Sequence, residues 1–175
     1  MRPLDGRLVR GRLLAFGNGG SSTDAQELVR LFVCADGGVG GPAVPGGGGP
    51  SGRPRALPAI ALANDVAVVT GVGNDVGYEA VFSRQIAVFG RARDIAIGLS
   101  TGGTPANLVR AFEAADRRGM LTVGIAGHDG GRMAELDTVD YLFVVPSPSL
   151  HRVQEAQTTI YHALWELTMG ERARR

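Results

Sequence analysis

Two stretches of this chain carry the residue types that hold an anion, and a third carries a group that titrates near neutrality. The first is Gly17, Asn18, Gly19, Gly20, Ser21, Ser22; the second is Ser100, Thr101, Gly102, Gly103, Thr104, Pro105. Glycines let the backbone approach an anion closely, while hydroxyls and the free amides of a helix start donate hydrogen bonds to it. Neither stretch has the nucleotide-loop spacing GxxxxGK(S/T) or GxGxxG, so the pair points to a monophosphate ligand. The third stretch runs from Gln154 to His162, whose imidazole can take up and release a proton, and Glu27 supplies a carboxylate after the first loop.

Such groups need a scaffold that brings them together. From residue 12 onward, short apolar runs rich in β-branched residues alternate with helix-length amphipathic segments, which predicts parallel strands joined by helical crossovers. The strands are expected at 13–16, 59–63, 94–100, 121–127 and 141–146, and the helices near 22–35, 78–90, 105–118, 130–136 and 150–170. In an open parallel sheet ligands bind beyond the carboxyl ends of the strands, where both glycine loops fall. Ser22 or Thr23 is expected to cap the first helix, with Asp24 in its first turn, and Thr104 to cap a helix that has Pro105 at its first position. Residues 36–55 hold nine glycines and four prolines without apolar periodicity, so a flexible insertion is expected there, within a single domain spanning 1–175.

Composition narrows the partners. The 18 Lys and Arg against 17 Asp and Glu are scattered, with no basic run beyond the RARR tail, so no nucleic-acid partner is expected. Cys34 is the single cysteine, which excludes an internal disulfide and a multi-cysteine zinc site and suits a reducing compartment. No apolar run is long enough to cross a bilayer, and MRPLDGRLVRGRLL lacks the unbroken apolar stretch of a signal peptide. The expectation is a soluble, cytoplasmic protein without membrane contact.

In order and spacing, GNGGSSTDAQ, PAIALANDVAVVTGVGNDVGYEAVFSRQI, GLSTGGTPANLVRAFEAADRRG and VPSPSLHRVQEAQTTIYHALWEL resemble the sugar isomerase (SIS) domain. Within it, GNDVGYEAVFSRQ and RVQEAQTTIYH resemble the sedoheptulose 7-phosphate isomerase (phosphoheptose isomerase) subfamily most specifically. The resemblance implies an α/β fold, a three-layer αβα sandwich on a five-stranded parallel sheet of the flavodoxin-like, doubly wound kind. It further implies a homotetramer, or a dimer, with active sites at subunit interfaces, and interconversion of an aldose phosphate and a ketose phosphate. By position, Asn18, Gly19, Gly20, Ser21, Asn74, Asp75, Ser100, Thr101, Gly102, Thr104 and Gln154 would bind the sugar phosphate, and Glu27 and His162 would be catalytic. Family members often carry zinc, for which Glu27, Gln154 and His162 are the ligands at hand, with Cys34 as an extra thiol.

Departures from the family pattern matter as much. The family's first-helix His falls on Glu27 and its catalytic Glu on Leu31, while Gly102 and Pro105 stand for two serines of its STSGNS loop. About three or four helical turns of N-terminal segment used for assembly are not seen, because the first strand begins near Leu13; a start site further upstream is one reading. Aldose–ketose isomerisation passes through an enediolate and needs a base for one proton and a donor for the oxyanion. His162 can carry the proton, and Leu31 cannot. Glu27, Leu31 and Cys34 lie at i, i+4 and i+7, so Glu27 would sit about 5 Å before the missing carboxylate. Gln154 and His162 are eight residues apart, about 12 Å along a straight helix, which stretches their reach to one ion. Duller roles are open for each: a solvated Glu27, a small core Cys34, a core His162, a surface Arg84, a capping His151, and turn residues at His128 and Asp129. The competing function is a non-catalytic SIS protein that binds a phosphosugar or a protein partner.

Overall fold

The computed structural model describes residues 11–34 and 56–173, so the insertion expected at 36–55 lies outside the described residues. Five strands, β1 (Leu13–Gly17), β2 (Ala59–Ala61), β3 (Ile95–Ser100), β4 (Leu121–Gly127) and β5 (Tyr141–Val145), pair in parallel in the order β2-β1-β3-β4-β5. The helices are α1 (Gly20–Val33), α2 (Val66–Asp75), α3 (Val81–Phe89), α4 (Ala106–Arg117), α5 (Gly131–Ala134) and α6 (Leu150–Ala173), with a 3-10 turn at Tyr78–Ala80.

Three layers follow from the two-residue period of the strands, which sends alternate side chains to opposite faces. Leu13, Ala15, Ile95, Ile97, Leu121 and Val123 pack against Leu28, Leu31 and Phe32 of α1 and Tyr161, Trp165 and Met169 of α6. On the other face Leu14, Phe16 and Ala96 pack with Phe82 and Ile86 of α3 and Leu108 and Phe112 of α4. Gly98 makes the second core possible: a Cβ there would lie 2.6 Å from Phe112 Cζ and 2.7 Å from Phe16 Cε2. Without it those rings meet edge to face, 5.2 Å between centroids.

Three local expectations need correction. The helix α2 was not foreseen, because VAVVTGVGND, with its valines and two glycines, carries strand-like and helix-breaking propensities. Asp65 overrides them by accepting the Val68 amide at 3.0 Å as N-cap, and β2 ends at Ala61, two residues short of the expected strand. Thr104 does not cap α4: Pro105 is the N-cap residue, and the Thr104 hydroxyl donates to the Gly102 carbonyl at 3.0 Å. Nor do Ser22 and Thr23 cap α1, which starts at Gly20 behind Gly19 with its positive φ of 53°, and Asp24 lies past its first turn.

Candidate functional site

Strand order reverses direction between β1 and β3, the switch point at which an open α/β sheet leaves a crevice beyond its carboxyl edge. Both glycine loops leave those two strands. Asn18, after β1, and the buried Asn107, on α4, clasp each other through two amide hydrogen bonds of 2.9 and 2.8 Å. The Tyr78 hydroxyl donates to the same Asn18 oxygen at 3.1 Å. In the first loop the amides of Ser21 and Ser22 bond back to Asn18 and Gly19, and Gly19 and Gly20 stand at the exposed front of the turn.

The second loop is shaped from inside. Ser100 is buried, and its hydroxyl oxygen accepts the amides of Gly103 at 2.9 Å and Gly102 at 3.3 Å. Ser100 therefore templates the turn, while Thr101 and Gly102 are half-buried and Thr104 is exposed. Gly103 has φ +66°, and a Cβ on it would run into the Gly130 carbonyl. Gly103→Ala is expected to cost roughly 1–3 kcal/mol of stability and to weaken anion binding at this loop, read by denaturant unfolding and by titration with inorganic phosphate.

The helix α6 brings a third element to the crevice. The Gln154 amide rests so close to Gly20 that any side chain there would displace it. Asn74 and Asp75 sit exposed at the end of α2, joined to each other by a 2.8 Å bond from Asn74 Nδ2 to Asp75 Oδ1. No bond among the described residues ties them to the glycine loops; the link from that region is Tyr78 to Asn18. Ser21 is buried at the start of α1.

The acids along α1 differ sharply. Glu27 is held by Arg30 through two bonds, Nε to Oε2 at 2.7 Å and an Nη to Oε1 at 2.6 Å. That guanidinium contact, with a smaller contribution from nearby His162, keeps the Glu27 carboxyl below the usual range and thus ionised. Leu31 is in the core, and Cys34 is exposed at the end of α1 rather than packed as a small hydrophobe. The face that seemed shared by these three residues is split between seam, core and solvent.

Asp24 is the acid that sequence reasoning passed over. One of its oxygens is buried without a partner, and burial raises its proton affinity. Burial also raises the pKa of Tyr161 on the facing α6, with the negative charges of Asp24 and Glu27 adding to the effect. The signal was available: Asp24 is four residues after Gly20 and three before Glu27, which puts all three on one helical face. A carboxyl whose folded pKa is raised favours folding below its unfolded pKa, and that contribution is lost as pH rises through the folded pKa. Asp24→Asn is therefore expected to raise Tm at neutral pH and to leave it unchanged below about pH 4, a comparison that thermal scans at the two pH values make directly.

The donor set for a zinc ion is thin. Among the described residues no three His, Cys, Asp or Glu side chains gather as a metal would require. Glu27, Gln154 and His162 provide one imidazole, one amide and a carboxylate already engaged by Arg30, fewer donors than a closed zinc site uses.

Comparison with known proteins supplies the family. The SIS domain profile matches residues 43–127. A phosphoheptose isomerase of Geotalea daltonii is 42% identical over 156 residues, which is 89% of this chain and 73% of that protein. This chain belongs to the phosphoheptose isomerase family. Among solved structures, the phosphoheptose isomerase of Neisseria gonorrhoeae superposes with a TM-score of 0.77 at 34% identity, covering 93% of this chain and 78% of that one. The corresponding protein of Francisella tularensis gives a TM-score of 0.76 at 30% identity, over 91% of this chain and 76% of that one. The phosphoheptose isomerase fold expected from the sequence, a parallel five-stranded sheet between helical layers, is the one observed. No helix among the described residues is long and apolar enough to cross a membrane.

Proposed function

We propose that this protein is a phosphosugar isomerase that interconverts the ketose and aldose forms of a sedoheptulose 7-phosphate-like sugar phosphate. The observation that carries the reading is the Asn18–Asn107 clasp, which fixes two glycine loops side by side at the switch point of a phosphoheptose isomerase fold. The Ser100–Thr104 loop and the start of α4 hold the phosphate, and Asn18, Gly19, Gly20 and Gln154 hold the sugar's carbonyl end. His162 takes the proton from the hydroxyl-bearing carbon and returns it to the neighbouring carbon, while the hydroxyl proton passes to the former carbonyl oxygen, so that the carbonyl moves by one carbon through an enediolate. Glu27, kept ionised by Arg30, lies near that imidazole.

The same reading includes a homo-oligomer, dimer or tetramer, in the cytoplasm. No residue of α2 is buried, and Val66 (68% exposed), Val76 (46%) and Tyr78 (56%) leave that region apolar and uncovered. A second copy packed there would bring Asn74 and Asp75 into an interface, which is how they would reach a substrate.

Leu31 in the core and Glu27 locked to Arg30 support one alternative, a phosphosugar-binding SIS protein without turnover. Incubating the protein with sedoheptulose 7-phosphate, with and without added zinc, and following aldose formation separates the two. Turnover establishes the isomerase, saturable binding without turnover establishes the binding protein, and absence of both overturns both.

A further inference from the structure

The buried stripe of α6 recurs every fourth residue as Val153, Gln157, Tyr161, Trp165 and Met169, and Gln157 is the one amide in it, fully buried. An apolar side chain would pack at such a position without desolvation, whereas a buried amide is unfavourable unless it is bonded. Gln157 spends its NH2 group on two backbone carbonyls at the carboxyl edge of the sheet, Ser100 at 2.8 Å and Ile125 at 3.2 Å. Two acceptors there fix which end of the amide carries the nitrogen, and the other end, Oε1, is buried without a partner. Gln157 is thus retained for what it holds.

What it holds is the residue that templates the second loop. The Ser100 hydroxyl gathers the Gly102 and Gly103 amides, and the Ser100 carbonyl is gathered by Gln157. Gln154, three residues earlier on the same helix, rests on Gly20 of the first loop. Helix α6 therefore braces both loops, one directly and one from beneath.

We propose that Gln157 is a positioning residue for the phosphate group: without touching substrate, it fixes Ser100 and thereby the shape and affinity of the Ser100–Thr104 loop. The inference rests on the phosphosugar reading above. Gln157→Met keeps the volume and removes both hydrogen bonds. It is expected to raise KM for the sugar phosphate and the inhibition constant of inorganic phosphate together, by about tenfold, with kcat little changed. Gln157→Glu provides a second readout that does not depend on the first variant folding. A protonated carboxyl has one O–H and can donate to one of the two carbonyls, whereas an ionised one donates to neither; burial favours the protonated form, so the ratio of its KM to that of wild type is expected to be smallest in acid and to climb as pH rises.

Circular dichroism and Tm at each pH identify a variant that has lost its fold. If wild type binds sugar phosphate and folded Met and Glu variants keep wild-type KM and phosphate inhibition at every pH, the positioning role is wrong and the phosphosugar reading stands. A folded variant that loses kcat without a change in KM overturns it equally. If wild type itself binds neither sugar phosphate nor inorganic phosphate, both inferences fall.

Discussion

His162→Asn is expected to lower kcat for the sugar phosphate by about two to three orders of magnitude, while KM and Tm stay close to wild type. The imidazole is half-buried on α6, its ring 5.1 Å from that of Tyr161, and close enough to Glu27 to contribute to that carboxyl's charge state. The other two histidines, His128 and His151, are exposed, so neither faces the seam between α1 and α6. Asparagine keeps a polar group of similar reach but cannot exchange a proton, which separates loss of chemistry from loss of packing. A fall in kcat of less than about tenfold would move the proton transfer to another group, and Asp24, with its unpartnered oxygen, is the acid to test next.

Leu31→Glu is expected to destabilise the fold by about 3–5 kcal/mol and to bring no gain in activity. The family pattern puts a carboxylate at this position, so the substitution looks like a restoration. The structure gives the opposite expectation, because Leu31 is 3% exposed and packs in the core formed by α1, α6 and the sheet with Leu28, Phe32 and Trp165. A carboxylate there loses the leucine's packing and has no partner to offset its desolvation, which are two of the mechanisms behind the largest mutational effects. Urea unfolding gives the stability change and a parallel assay the activity. A variant as stable as wild type with faster turnover would show that position 31 faces the substrate.

These two residues also mark how far the sequence could be read. Strands and the two loops were legible because their signals are local: a continuous apolar run between turn residues for LTVGIAG, and glycines with hydroxyls at a strand exit for GNGGSS and STGGTP. The Glu27–Arg30 pair, an i, i+3 spacing, was equally local but went unread, and its consequence is that the carboxylate offered as a base is already engaged. Helix α2 was not legible, since its valines favour a strand and only the Asp65 cap and the tertiary setting decide otherwise. Nor was Gln157, whose type says nothing of which carbonyls it will meet across a spacing of 57 residues. The loops' mutual position was of the same kind: Asn107 looks like an ordinary helix residue until the β1–β3 neighbourhood sets it against Asn18.

Turnover of sedoheptulose 7-phosphate by the untagged wild-type protein, followed as appearance of the aldose phosphate, tests the central claim most directly. Saturable conversion is expected, inhibited competitively by inorganic phosphate and nearly abolished in His162→Asn. Saturable binding of the sugar phosphate with no aldose formed, in wild type as in His162→Asn, would contradict it.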